Sequence, residues 1–232
     1  MGKTIGLIGG TGKIGQGLAL RWGLARESVI IGSRKKEKAS RISQQINERI
    51  GEELVIPKTN AVCVEESEII ILTVPFEHLI DTITPIIGLL TENHIIVDVT
   101  VPLKPFRKGK MVDVLSESEL GAKSATELLR NHIPPEIPIV GAFKTVSNTI
   151  LLDTNRVPTL NQDIYIFGGN KSVKRVISDK VKLIKFLKPV DGGSILSARH
   201  IEHFTAFLIG LNRRYKTHDC GFSVTRLIDK AW

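Results

Sequence analysis

The stretch Gly9-Gly10-Thr11-Gly12-Lys13-Ile14-Gly15 constrains this chain more than any other, because of what flanks it: the short run Lys3–Ile8 before it, and Ile14, Leu18 and Trp22 at four-residue spacing after it. The pattern predicts a strand, a tight turn and an amphipathic helix. In that setting Gly10-x-Gly12-x-x-Gly15 makes the turn, lets the backbone approach a pyrophosphate and packs the helix closely on the strand. The helix amino terminus then offers free N–H groups and a positive dipole end to phosphate.

The same alternation continues. Val29-Ile30-Ile31 reads as a second strand, Lys35–Arg49 as a polar helix with Ile42 and Ile46 on one face, and Ile69–Val74 as a third strand closed by Pro75. A helical pattern runs through Leu79, Ile80, Ile83 and Ile87. Ile95–Val101 and Ile137–Ala142 read as further strands, with a helix over Ser124–Asn131 between them. Alternating strand and helix implies an α/β fold, a Rossmann-type doubly wound parallel sheet. Beyond the linker-like Thr154-Asn155-Arg156-Val157-Pro158 the pattern changes to a strand at Asp163–Phe167, a helix at Ser172–Leu187, a short extended piece at Pro189–Asp191 and a long helix near Ser197–Tyr215. The expected division is a nucleotide-binding domain over residues 1–153 and a small C-terminal α+β domain over 154–232 that completes the substrate side and supports oligomerisation.

With 42% hydrophobic and 24% charged residues, the chain has the makings of a packed core. Its apolar runs are too short to span a membrane, and the amino-terminal run ends in a glycine turn rather than a cleavage site, so a cytoplasmic location is expected. Cys63 and Cys220 suit a reducing compartment.

The end of the second predicted strand decides the nucleotide. An NAD site needs a carboxylate there to accept from the ribose diol; this chain has Ser33-Arg34-Lys35-Lys36 with Lys38 following. Arg34 can fork onto phosphate oxygens, Ser33 can donate a hydroxyl hydrogen bond and Lys38 can add a point charge, so NADP(H) is expected. Lys35 and Lys36 read as solvated charge. Val74, His78 and Val101 fall at or just beyond the carboxyl ends of predicted strands, where open α/β sheets bind ligands.

These residues carry a resemblance. Ile8 to Arg21, Gly32-Ser33-Arg34 with Lys38, Thr73-Val74-Pro75-Phe76-Glu77-His78 and Pro189 to Arg199 resemble the NADPH-dependent reductases of the deazaflavin coenzyme F420, over nearly the whole chain. The resemblance implies hydride transfer between NADP(H) and F420, the latter a small-molecule substrate, in a homo-oligomer. It places Thr11, Gly12, Lys13 and Ile14 on the pyrophosphate and Ser33, Arg34 and Lys38 on the 2′-phosphate. Val74, His78 and Val101 would line the nicotinamide half, with Asn148 and Cys220 toward the deazaflavin. The chain departs from the family pattern around Ala142–Asn148, where Lys144 stands in place of a frequent His and Asn148 in place of a small residue. Phe143 and Thr145-Val146-Ser147 also resemble the metalloreductase relatives, which leaves a ferric or flavin reductase as one alternative and a non-catalytic NADP sensor as another.

Hydride transfer between two rings needs stacking rather than acid–base groups, so no catalytic side chain is assigned. Residues 171–232 hold 13 Lys and Arg against 5 Asp and Glu. The implied coenzyme carries a phosphate and an oligoglutamate tail, which gives Lys188, Arg199, Arg213 and Arg214 a reason as a steering field. Nucleic acid is not expected, since no recognition motif accompanies the charge. His200-x-x-His203, with His218 and Cys220 nearby, reads as surface decoration, and no metal is expected.

Overall fold

The computed structural model describes residues 3–107, 109–155 and 162–225. The elements are β1 (Ile5–Ile8), α1 (Lys13–Leu24), β2 (Val29–Ser33), α2 (Lys36–Ile50), β3 (Val55–Thr59), α3 (Asn60–Glu65), β4 (Ile69–Leu72), α4 (Leu79–Ile83), β5 (Ile95–Asp98), α5 (Glu117–Leu120), α6 (Ala125–Arg130), β6 (Ile139–Gly141), α7 (Asn148–Leu152), β7 (Gln162–Gly168), α8 (Lys171–Lys182), β8 (Leu187–Asp191) and α9 (Ala198–Arg214).

The strands form a single eight-stranded sheet in the order β3-β2-β1-β4-β5-β6-β7-β8. Every neighbouring pair is parallel except β6 and β7. Strand order reverses around β1, which pairs with β2 on one side and β4 on the other, so a crevice opens at the carboxyl ends of these three strands. Alternate residues of the central strands feed two cores. Ile5, Leu7, Ile69 and Ile71 join α1 and α2 on one face, and Ile8, Ile70 and Leu72 join α3 and α4 on the other. Burial on both faces explains the unbroken apolar runs that made these strands easy to read.

Four local expectations change. The strands expected over Ile69–Val74 and Ile95–Val101 end at Leu72 and Asp98: Thr73 and Val74 turn to line the crevice, and Thr100 turns back to hydrogen-bond the Asp98 carboxylate. The helix expected over Ser172–Leu187 ends at Lys182, and Leu187 opens β8, where Pro189 is tolerated on the sheet's outermost strand. The helical pattern through Ile87 is one turn of α-helix between 3-10 turns at Phe76–His78 and Thr84–Leu89. β3, α3 and α7 carry no clear apolar period and escaped the sequence reading; β3 is only partly buried at the opposite edge.

The segment beyond residue 153 continues the sheet: Val140 and Gly141 of β6 pair with Gly168 and Phe167 of β7. Ile164, Ile166, Ile177 and Val181 sit in the same core cluster as Ile5 and Leu7. Trp22 of α1 donates its indole N–H to the Lys180 carbonyl at 2.8 Å and meets Phe143 edge-on at 5.8 Å. The expected linker at 154–158 lies partly outside the described residues. On α9, Leu208 is buried while Ile201, Phe204 and Leu211 are only half-buried. No helix among the described residues is long and apolar enough to cross a membrane. Cys63 is buried, and burial pushes its thiol up to about 12, which leaves it an inert core residue.

Candidate functional site

The crevice at the strand ends holds a cleft of about 740 Å³, lined by Gly9, Thr11, Gly12, Ser33, Arg34, Lys35, Lys38, Asn60, Thr73, Val74, Pro75, His78 and Thr82. Its first wall is the glycine turn. Gly9 has φ +71°, and a Cβ there would stand 2.3 Å from Val74 Cγ1, so the turn needs glycine on both backbone and packing grounds. Gly10 donates its N–H to the carbonyls of Leu7 and Gly32, both at 3.1 Å, which ties the turn to β1 and β2. A Cβ on Gly15 would lie 2.5 Å from the Gly10 Cα, so this pair of glycines sets how closely α1 seats on the turn.

α1 begins at Lys13 with Gly12 as its N-cap; no side chain caps it and no acid lies in its first turn. The first helical bond in this turn runs from the Gln16 N–H to the Gly12 carbonyl at 2.9 Å. The N–H groups of Lys13, Ile14 and Gly15 therefore precede the ladder, and with the dipole they form a ready phosphate seat.

The second wall is the start of the β2–α2 connection. Ser33 Oγ accepts from the Lys35 N–H at 3.2 Å, which holds the hydroxyl at the cleft with its own hydrogen free to donate. Arg34, Lys35 and Lys38 are exposed around it, and no carboxylate among the described residues lines the cleft. Lys35, read from sequence as solvated charge, is part of this wall. A donor set of one hydroxyl, one guanidinium and two ammonium groups fits a dianionic phosphate on an adenosine ribose.

The structure thus brings Thr11, Gly12, Ser33, Arg34, Lys38, Val74 and His78 into one cleft. Gly10 and Gly15 support it from behind, Lys13 is exposed at the helix start and Ile14 is half-buried against the core. Val101, Asn148 and Cys220 are half-buried outside the residues lining that cleft. They follow β5, open α7 and lie past α9, respectively. Two bonds join these last segments: Ser147 Oγ donates to the His218 carbonyl at 2.5 Å, and the Cys220 N–H donates to Asn212 Oδ1 at 2.9 Å. Sequence reasoning missed Asn60, Thr73, Pro75 and Thr82. Asn60 follows β3 directly, and recognising that strand would have placed it beside Ser33, since Thr59 registers with Ser33. One end of its amide, Oδ1, is buried without a partner.

Under the far side of the strand ends lies a buried charge cluster. Lys144 Nζ donates to Asp98 Oδ2 at 2.7 Å, Glu202 Oε1 at 2.9 Å and the Thr100 carbonyl at 2.6 Å. Asp98 also accepts from the Thr100 N–H and hydroxyl and from the Thr126 hydroxyl. Glu202 accepts from the Ala125 N–H at 3.1 Å. Burial works against the Lys144 charge, but Asp98 and Glu202 outweigh it and hold the amine protonated. For Glu202, burial and the Asp98 charge raise the carboxyl above its ordinary value despite Lys144. Both directions fit one cation shared by two carboxylates. The cluster joins β5, α6 and α9, and through Thr100 it fixes the backbone leading to Val101.

α7 is fixed from the α1 side. Arg21 donates to the carbonyls of Leu151 at 2.9 Å, Ile150 at 2.6 Å and Asp153 at 2.8 Å, closing the carboxyl end of the helix that Asn148 opens.

The four C-terminal cations expected to steer an anion are not together. Arg199 and Arg213 stand at opposite ends of α9, about 20 Å apart at the helical rise. His200 and His203 are exposed, and no group of three or more metal-ligating side chains occurs among the described residues.

Residues 4–102 match the family model described as NADP oxidoreductase coenzyme F420-dependent. The chain is 33% identical over 228 residues to the F420-dependent NADP reductase of Methanocaldococcus jannaschii, covering 96% of this chain and 98% of that protein. It is 32% identical over 226 residues to the F420-dependent NADP reductase of Methanothermobacter marburgensis, covering 96% and 98%. In fold it is similar to a crystal structure of a protein from Arthrobacter sp. FB24 proposed to be an F420-dependent NADP reductase, with TM-score 0.80, 21% identity, and 97% and 100% of the two chains covered.

Proposed function

The chain belongs to the F420-dependent NADP reductases, and from this we infer that it is an oxidoreductase moving a hydride between NADP(H) and coenzyme F420. The observation that carries the nucleotide half of this reading is the carboxylate-free wall of Ser33, Arg34, Lys35 and Lys38 at the end of β2, beside an uncapped helix amino terminus. A ribose diol offers such a wall nothing that a 2′-phosphate does not exceed, since the phosphate adds two negative charges and three acceptor oxygens.

On this reading Thr11, Gly12, Lys13 and Ile14 cradle the pyrophosphate, over the turn made by Gly10 and Gly15. Ser33, Arg34 and Lys38 hold the 2′-phosphate. Val74, His78 and Val101 line the nicotinamide end, and Asn148 and Cys220 stand toward the deazaflavin. Bound NADPH supplies the hydride and the deazaflavin accepts it. The chain's own part is to bind both rings face to face, keep apolar walls at Val74 and Val101 around the transferring carbon, and exclude water. The hydride step itself needs no side chain to move a proton, and the proton that completes the reduced deazaflavin is taken up from solvent.

Residues 1–153 carry the nucleotide on this reading and residues 154–232 complete the acceptor side. The setting is cytoplasmic, the protein assembles with itself, and nucleic acid has no part in it. Mixing protein, NADPH and F420 and following the deazaflavin's visible absorbance tests the activity. Bleaching is the expected result. Nucleotide binding without reduction of deazaflavin, flavin or ferric chelate would overturn it in favour of a sensor.

A further inference from the structure

β5 and β6 run parallel with Asp98 registered against Gly141, and the Ala142 N–H closes the pair on the Asp98 carbonyl at 3.0 Å. Past that level the two chains part, one toward Val101 and the other toward Asn148 at the start of α7. Lys144 joins them again. From the β6 side its amine donates to the Thr100 carbonyl at 2.6 Å and to Asp98 Oδ2 at 2.7 Å. Asp98 Oδ1 in turn accepts from the Thr100 N–H at 2.8 Å and hydroxyl at 2.7 Å. The residue before Val101 is thus gripped at its N–H, its side chain and its carbonyl.

The lysine is held from its own side as well. Glu202 of α9 pairs with the amine at 2.9 Å, and Thr205, about one turn further along α9, donates its hydroxyl to the Lys144 carbonyl at 3.1 Å. Phe143, buried and edge-on to Trp22, has φ +56°, a conformation that a bulky residue rarely adopts. Such a backbone persists only where its surroundings fix it, and here the Trp22 ring fixes one side and the Lys144 bonds the other. Gly141 belongs to the same arrangement. A Cβ there would stand 2.8 Å from Thr126 Oγ1 and 3.0 Å from Lys144 Cε, so glycine leaves the lysine its path.

A buried charge cluster is a poor way to gain stability, because apolar side chains of the same volume serve as well or better. What charges and directed hydrogen bonds add is a single geometry. This cluster ties together the two segments assigned to the two rings. We propose that Lys144 is a positioning residue for hydride transfer: by binding the Thr100 carbonyl it sets the spacing between the Val101 and Asn148 segments, and with it the separation of the nicotinamide and deazaflavin rings. The proposal rests on the assignment of those segments above. Transfer needs the two carbons about 3–3.5 Å apart, and a misplacement of about 1 Å costs roughly 100-fold in rate. The Lys144 side chain is 1% exposed, so it acts through Thr100 rather than on either ring. Its loss therefore falls on the transfer step and leaves nucleotide affinity alone.

Single turnovers with protein in excess over F420 and NADPH saturating follow the bleaching of the deazaflavin. NADPH carrying deuterium at both C4 positions shows that transfer is the step being read. Lys144→Met is expected to slow transfer about 10- to 100-fold, with the isotope effect retained and Kd for NADPH within about twofold of wild type. Ile177→Ala, a truncation in the α8 core, is the control for lost stability, and its transfer rate stays within about twofold of wild type. Should Lys144→Met fail to fold, Thr100→Val removes only the hydroxyl bond to Asp98 and is expected to slow transfer about three- to tenfold with NADPH affinity unchanged. Equal slowing in Ile177→Ala, wild-type rates in the Lys144 and Thr100 variants, or a loss confined to NADPH affinity overturns the positioning role and leaves the reductase assignment standing. Wild-type protein that does not bleach F420 overturns both.

Discussion

Lys144 Nζ lies 2.7 Å from Asp98 Oδ2, and neither side chain is more than 1% exposed. An ion pair this deep is costly to build and costlier to halve, because removing one partner strands the other charge in a low dielectric. The pair sits where β5 and β6 end, and Glu202 of α9 closes it from the third side at 2.9 Å.

Lys144→Met should therefore destabilise the fold by about 3–5 kcal/mol, since it leaves Asp98 and Glu202 facing each other without a cation. Chemical denaturation of the two proteins measures this. A loss near zero would mean that water reaches the cluster and that its charges are not confined.

Glu202 gives the cluster a pH signature. Its carboxyl is raised in the folded protein, first by burial, then by Asp98, so it binds a proton more tightly folded than unfolded. The resulting stability is fully present below the ordinary carboxyl value and is lost as pH rises through the raised one. Glu202→Gln, which keeps an acceptor for the Ala125 N–H, should flatten that decline. Melting temperature against pH from 4 to 8 reads it, and parallel curves for the two proteins would contradict the assignment.

Arg34→Ala should weaken NADPH roughly 10- to 100-fold, the range for a charge-assisted hydrogen bond, and change NADH by far less. Titration with the two nucleotides gives the ratio. Equal losses for both would remove the 2′-phosphate from this wall.

Gly15→Ala tests the seat of α1. The added Cβ would meet the Gly10 Cα at 2.5 Å, and because backbone lies on both sides the turn must move. Nucleotide affinity should fall at least tenfold together with a lower melting temperature. Retention of full affinity would show that the turn can shift without leaving the pyrophosphate.

Arg21→Leu removes the donors that close α7 on three carbonyls. A stability loss of about 1–3 kcal/mol is expected, and KM for the deazaflavin should rise more than KM for NADPH, because Asn148 opens the released helix. Thermal melts and steady-state kinetics separate the two effects.

The glycine turn and the basic stretch that meet in the cleft were legible in the sequence. Gly10, Gly12 and Gly15 are local geometry, and Ser33, Arg34 and Lys38 lie within one turn of a strand end, so a few residues of chain hold all the information. The parallel sheet was equally legible, since Ile5–Ile8 and Ile69–Leu72 are buried on both faces and announce it by composition. Only the tertiary structure decided the rest. The half-buried edge strand β3 carries no clear period, so Asn60 stayed hidden. Lys144, Asp98 and Glu202 are 46 and more residues apart and meet only when α9 folds back over β5 and β6. Short-range patterns encode elements through steric and hydrophobic rules that act over a few residues, whereas charges distant in sequence become neighbours only through the packing of the elements that carry them.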